Sequence, residues 1–189
     1  MGADHILRRP VTVHPSLILW LSILIYLRPK LALAFLLAAG IHELGHWLCL
    51  WAMGAPPRAV YLSALGARME VPPLPYEKAA LAAAAGPLSS LLLALCWPIY
   101  PELGFLSLIL GLFNLLPLGG LDGGRILENA LYLRLPPYQA RKIYLGSTTA
   151  FAAGLLPLGL YWGHACGLGL WPGLLSLLLL VKAVESWKA

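Results

Sequence analysis

The sequence predicts an all-α polytopic membrane protein, with six transmembrane helices and one small membrane-associated β-hairpin. Of its 189 residues, 60% are hydrophobic and only 11% are charged, whereas soluble domains carry about 25% charged residues. Several uncharged runs approach the length of about 20 residues that crosses a bilayer as a helix. The net charge of +5 comes from basic residues that flank these runs, which is typical of topology signals. We therefore expect a lipid bilayer, and no nucleic acid, as the surrounding partner.

The apolar runs are separated by short segments rich in proline, glycine or basic residues, which end helices. The first run follows Arg8 and Arg9 and has no small-residue cleavage site before Arg28, so we expect a retained span rather than a signal peptide. We predict one domain over residues 1–189, with spans at about 11–27, 31–53, 78–97, 103–118, 143–161 and 169–181.

Residues 58–71 differ in character from the spans on either side. Two short strand-like pieces flank Ser63-Ala64-Leu65-Gly66, and Pro72-Pro73 closes the segment. The pattern predicts a β-hairpin, although a simple connecting loop fits the residues equally well. An unpaired hairpin edge at Met69, Glu70 and Val71 would accept an extended peptide by strand addition.

The fourth span runs into a segment rich in glycine and proline at 115–124, so we predict that its helix breaks before Asp122. Irregular backbone at membrane depth is tolerated only against protein or a wet cavity. Residues 125–142 are mixed and basic, and they predict a short surface helix that is interrupted at Pro136-Pro137. Pro87 is expected to kink the third span.

Six spans place both termini on the same side of the membrane. The basic residues concentrate on that side, and the other side receives only Arg28 and Lys30. The positive-inside rule therefore predicts that both termini are cytoplasmic.

The segment His42-Glu43-Leu44-Gly45-His46 has the H-E-x-x-H pattern. On a helix this spacing places two imidazoles one turn apart on the same face, where they can bind zinc while the glutamate acts as general base. A catalytic zinc needs a third protein ligand and an open position. Among the other acids, Asp122 alone lies in apolar surroundings at membrane depth, which makes it the favoured third ligand. The cysteines, scattered without C-x-x-C spacing, do not predict a sulfur site.

The H-E-L-G-H segment at 42–46, together with N-x-x-P-x-x-x-L-D-G at 114–123, resembles the site-2 protease family of intramembrane zinc metalloproteases. Ala85-Gly86-Pro87 falls where that family has a G-P motif, and the 58–71 segment falls where it has a β-hairpin. The compact six-span layout is most similar to the sporulation-associated members. From the end of the sequence we expect no C-terminal CBS domain of the kind those members carry.

The resemblance implies one zinc ion per chain, held by His42, His46 and Asp122, with Glu43 activating the attacking water. It also implies that Asn114 assists catalysis by binding substrate or the developing oxyanion. The reaction would be regulated intramembrane proteolysis, the hydrolysis of a peptide bond in or near a transmembrane segment of a regulatory protein such as a membrane-associated pro-sigma factor. The location implied is a bacterial cell (inner) membrane. A membrane-protein inhibitor and a homo-oligomer are further hypotheses about partners.

Two alternative functions are also compatible with the sequence. A metal transporter would also need histidines and acids, but it should carry further ionisable residues along its other spans, which have almost none. A catalytically inactive scaffold is a second alternative, which the presence of Glu43 disfavours. Residue by residue, His42 and His46 could be core histidines, Asp122 could cap a helix, and Asn114 could form an interhelical hydrogen bond.

Overall fold

The computed structural model describes residues 11–63, 66–167, 169–185 and 187. Over these ranges the chain is mostly helical and contains one small sheet. The helices are α1 (Pro15–Leu27), α2 (Pro29–Ala52), α3 (Tyr76–Ala94), α4 (Pro101–Asn114), α5 (Asp122–Tyr132), α6 (Pro137–Ala165) and α7 (Trp171–Glu185). The strands are β1 (Val11–Val13), β2 (Ala59–Ser63) and β3 (Gly66–Glu70).

The sheet has the order β1-β2-β3, so that β3 forms one of its edges. Strand β2 pairs antiparallel with β3, in a register that places Val60 opposite Met69. The two strands predicted within 58–71 are thereby confirmed, and the alternative of a connecting loop is wrong. The turn at 64–65 lies outside the described residues. Strand β1 pairs parallel with β2.

The N-terminal boundary of the first span differs from the prediction of residue 11. Val11–Val13 forms strand β1 instead, and the backbone N–H of His14 donates to the carbonyl of Leu62 at 2.8 Å. The imidazole of His14 then accepts from the backbone N–H of Ser16 at 3.2 Å and caps α1, which begins at Pro15. Two β-branched valines suit a strand, and the ring of Pro15 suits the first position of a helix.

The later boundaries follow the proline and glycine signals. Helix α4 ends at Asn114, earlier than the predicted end at 118, and a new helix begins at Asp122. The predicted break before Asp122 is therefore confirmed. The predicted interruption at Pro136-Pro137 is also present, but Pro137 starts the long helix α6 rather than a separate surface helix.

Two helices, α2 and α6, are long and apolar enough to cross a membrane by length and composition, and α1 and α4 are shorter apolar helices. The count of six spans stays a prediction. Large apolar side chains face outward over much of the described surface, as Leu19, Leu92 and Leu170 illustrate. Small residues such as Ala38 and Ala82 fill the interior. This distribution is typical of helices that pack closely while their leucines contact lipid.

Helix α3 lies at the centre of the helical packing that forms the site. It contacts α2, α4 and α5, while the pair formed by α6 and α7 joins this group through α5. The buried residues of α3 are small, including Ala82, Gly86 and Ser90, so neighbouring helices can approach its backbone closely. Helix α3 thereby brings the motif on α2 close to the start of α5.

Candidate metal centre

Two imidazoles and one carboxylate converge on a single point between α2 and α5. His42 and His46 lie one turn apart on α2, and their Nε2 atoms are 3.3 Å apart. The Asp122 Oδ2 atom lies 3.1 Å from Nε2 of His42 and 3.2 Å from Nε2 of His46. His42 and Asp122 are buried. The three residues predicted as metal ligands are thus brought together, although Asp122 is 80 positions along the chain from His42.

These three ligand atoms fit a zinc ion. Tetrahedral zinc binds nitrogen and oxygen at about 2.0–2.1 Å, so neighbouring ligand atoms are separated by about 3.3 Å. The observed separations of 3.1, 3.2 and 3.3 Å match one face of such a tetrahedron, and all three residues line the cavity described below. Among the described residues, His42, His46 and Asp122 are the one group of three or more such side chains that could hold a metal ion.

Asp122 reaches this point because two glycines follow it. A Cβ atom at Gly123 would collide with the carbonyl group of Leu115, and one at Gly124 would collide with that of Leu118. The first turn of α5 therefore packs against the backbone of residues 115–118, which follow α4, at a distance that larger residues would prevent. The N-cap of α5 is Leu121 rather than Asp122, and the Asp122 carboxylate contacts the two imidazoles, so the alternative of a plain helix cap is not what the structure shows.

His46 is held on the side of its ring away from the site. Its Nδ1–H donates to the backbone carbonyl of Ala82 on α3 at 2.7 Å. In the neutral imidazole this bond leaves the lone pair on Nε2, the atom that faces Asp122. The ring rests against Gly86, where an added Cβ would overlap it. The glycine of the G-P pair therefore makes room for a ligand.

His42 is held in the same manner by Ser90, a residue to which the sequence assigned no role. The Nδ1 atom of His42 lies 2.9 Å from Oγ of Ser90, which is fully buried. This contact orients the ring, so that its Nε2 faces the metal position. One sequence signal could have indicated a role for Ser90. Gly86 and Ser90 are four residues apart, so they lie on the same face of α3. If His42 and His46 were only core histidines, nothing would require their Nε2 atoms to face the same point.

Glu43, the acid of the H-E-x-x-H motif, does not contact His42, His46 or Asp122. Its carboxylate has no hydrogen-bond or ion-pair partner among the described residues, and it lines the cavity next to the two histidines. A carboxylate in this position is free to accept a proton from water in the cavity, which is the role predicted for it.

A cavity of about 650 Å³ opens onto the three ligands. Its wall includes Met69 of β3 and Val71, the first residue after β3, so both face the same space as the metal position. Glu70 faces away, and its carboxylate accepts from the hydroxyl of Tyr61 at 3.2 Å. Of the three residues predicted to bind substrate at the hairpin edge, two therefore line the cavity.

Asn114 also lines this cavity, at the C-terminal end of α4. Its Nδ2 donates to the carbonyl of Leu110 in the same helix at 3.0 Å. The hydrogen bond is intrahelical, unlike the interhelical bond considered from the sequence. The amide retains a second N–H, and its position on the wall is compatible with the predicted catalytic role.

Comparison with known proteins agrees with this geometry. The model of peptidase family M50 matches residues 97–156, a range that contains Asn114 and Asp122. A curated zinc metalloprotease of Methanocaldococcus jannaschii is 27% identical over 173 residues, and the match covers 80% of this chain and 51% of the relative. The chain thus spans about half the length of that relative.

A solved structure has a similar fold. The site-2 protease from Methanocaldococcus jannaschii matches with a TM-score of 0.66 and 25% sequence identity, over 93% of this chain and 89% of the solved chain. It shares the mostly helical architecture with a small sheet. By the family model, the curated relative and the solved structure, this chain is similar to zinc metalloproteases of peptidase family M50 and to a site-2 protease.

Proposed function

We propose that this protein is an intramembrane zinc endopeptidase that hydrolyses a peptide bond in or near a transmembrane segment of a regulatory protein. The observation that carries the proposal is the convergence of His42, His46 and Asp122 beside the unliganded Glu43, in a cavity lined by a strand edge. This combination provides a metal position, a base and a place for extended peptide in one space.

The side chains divide the chemistry among them. When bound, zinc would supply a Lewis acid and lower the pKa of water to about 7. Glu43 would accept the proton of the attacking water and return it to the leaving amine, as a general base and then a general acid. Asn114 would donate its second amide hydrogen to the oxygen on which negative charge develops.

The strand β3 would hold the substrate. A transmembrane helix has its carbonyls engaged in its own hydrogen bonds, so it must unwind before a peptide bond can be attacked. Strand addition at the β3 edge would replace the lost bonds, with Met69 and Val71 in contact with the side chains of the unwound segment. The position of Met69 in β3 and of Val71 directly after it, both on the cavity wall, supports this role.

The cell location and the partners are inferred from the distribution of basic residues and from the family resemblance. We infer an integral protein of a bacterial cell membrane, with both termini in the cytoplasm, because the basic residues concentrate on that side. A membrane-associated pro-sigma factor is the kind of substrate that the sporulation-associated resemblance suggests. A membrane-protein inhibitor and a homo-oligomer remain hypotheses.

A metal transporter explains the site less well. A transport path needs ionisable groups at intervals along it, and the described residues contain one metal-binding group, at the end of a cavity with otherwise mainly apolar walls. An unliganded glutamate beside the metal position also has a use in hydrolysis that transport does not require.

The proposal is tested by comparing the wild-type protein with Glu43→Gln, each purified in detergent and assayed on a fluorogenic transmembrane peptide. The variant should retain about one zinc ion per chain, because Glu43 is not a ligand, while cleavage falls by about a thousandfold or more. Cleavage by the variant at the wild-type rate would show that the proposed mechanism is wrong.

A further inference from the structure

The cavity wall carries a basic residue for which the mechanism has no use. Arg125 lies on α5, three residues after Asp122, and lines the cavity. Within the described part of the chain it is the only lysine or arginine on that wall. Its side chain is exposed and makes no hydrogen bond or ion pair to another described residue. A cation in this position is available to a ligand in the cavity.

Among the charged side chains on the cavity wall, the charge of Arg125 is the one left over when a zinc ion is bound. A bound zinc dication would be neutralised by the two carboxylates of Glu43 and Asp122. The remaining polar side chains on the wall, Asn114 and Asn129, are neutral, and most of the others are apolar. The guanidinium of Arg125 therefore leaves the loaded cavity with a net positive charge, which favours an anionic group on the peptide that enters it.

The spacing limits where this anionic group would lie on the peptide. Residues three apart on a helix have Cβ atoms about 5–6 Å from each other, so the guanidinium of Arg125 lies one turn from Asp122. An extended peptide advances about 3.3 Å per residue. An acidic side chain within about three residues of the scissile bond would thus come within reach.

We propose that Arg125 is a specificity-determining residue, which binds an aspartate or glutamate side chain of the extended substrate close to the scissile bond. Arginine suits this role because its planar guanidinium can form two parallel hydrogen bonds with one carboxylate. The inference rests on the proposed function, since it assigns a substrate class to the same cavity. If Arg125 only balanced the charge of Glu43, its loss would affect all substrates equally.

The test uses fluorogenic peptides of one apolar sequence, in which a single position at a time carries Glu, Gln or Lys, from three residues before the scissile bond to three after it. For the wild-type protein we expect kcat/KM about tenfold higher for Glu than for Gln at one position, the effect of one charge-assisted hydrogen bond. In Arg125→Gln this preference should fall to about twofold or less while turnover of the Gln peptide persists, and Arg125→Glu should prefer the Lys peptide.

A matched control and a binding measurement separate this inference from the proposed protease activity. Arg134→Gln removes an exposed arginine that does not line the cavity, and it should keep the full preference for Glu. Peptide binding is measured by fluorescence anisotropy with the Glu43→Gln protein, with and without Arg125→Gln, so the result does not depend on hydrolysis. The inference is overturned if the Glu and Gln peptides bind equally to the protein with Arg125 intact, or if Arg125→Gln weakens both peptides to the same extent.

Discussion

At the scale of single residues, the site depends on groups that do not touch the metal position. Ser90 and the carbonyl of Ala82 fix the two imidazoles, and Gly86 leaves space for one of them. The three candidate ligands were predictable, because the H-E-x-x-H spacing and the isolated acid at 122 are what zinc-ligand chemistry requires. The contact between Ser90 and His42 was not predictable. It depends on how α2 packs against α3, and neither segment specifies that packing on its own.

Replacing Ser90 with alanine should weaken zinc binding, because the ring of His42 loses the partner that orients it. We expect a loss of about 10- to 100-fold in zinc affinity, the usual cost of removing such a partner, measured by competition with a chromophoric chelator. Ser89→Ala is the matched control. The Ser89 hydroxyl donates to the carbonyls of Ile41 and Gly86 rather than to an imidazole, so its zinc affinity should change by about twofold at most. Equal losses in both variants would contradict the role of Ser90.

Gly86→Ala should also weaken zinc binding, for a steric reason. The added methyl group would overlap the imidazole of His46, so the ring must rotate away from the metal position. We expect a loss of about a hundredfold or more in zinc affinity. Gly40→Ala on α2 meets open space and should leave zinc affinity unchanged while favouring the helix by up to about 1 kcal/mol. Normal zinc binding by Gly86→Ala would show that the ring does not need this space.

At the scale of elements, breaks and edges position the site. The segment rich in glycine and proline ends α4, and α5 begins packed against residues 115–118 of that segment. Composition alone predicts this break. The strand β1 was missed because its partner is far away in the chain, with Val11 opposite Val60. A short run of apolar β-branched residues before a hydrophobic helix is also typical of the start of a span, and only the distant pairing distinguishes the two.

The edge strand β3 gives a prediction at this scale. Met69→Pro removes a backbone donor and disturbs the pairing of β3, so an extended peptide would lose the hydrogen bonds of strand addition. We expect kcat/KM to fall by about tenfold or more, the value of one or two such bonds, while the zinc content stays near one per chain. Met69→Leu conserves the volume that faces the cavity and should retain most of the activity. Unchanged turnover in Met69→Pro would exclude a role for the strand edge.

At the scale of the whole molecule, the distribution of side chains is that of a protein surrounded by lipid. Small residues fill the helix contacts, and large apolar side chains cover much of the described exterior. Composition predicts a membrane protein, because so few of the residues are charged. Which helices cross the bilayer is less well determined by composition, since α2 and α6 are long enough while α1 and α4 are shorter. Packing against neighbours decides how such short helices lie.

Reporter fusions test the predicted topology. With six spans and the observed bias of basic residues, a reporter after Ala189 should lie in the cytoplasm, and one inserted between α1 and α2, near Arg28, should lie on the opposite face of the membrane. Alkaline phosphatase is active only outside the cytoplasm, so it should be active at Arg28 and inactive after Ala189. A fluorescent protein that fails to mature outside the cytoplasm provides the reciprocal readout. The opposite result would show that the orientation is wrong.

The central claim is that His42, His46 and Asp122 hold one zinc ion. Zinc X-ray absorption spectroscopy of the purified wild-type protein tests it most directly. We expect about one zinc per chain, with nitrogen and oxygen neighbours at about 2.0–2.1 Å, imidazole scattering, and no sulfur neighbour at about 2.3 Å. Asp122→Ala should lose zinc or change this spectrum. A sulfur-coordinated zinc, which the free Cys49, Cys96 and Cys166 could supply, or an identical spectrum in Asp122→Ala, would show that these three residues do not hold the zinc.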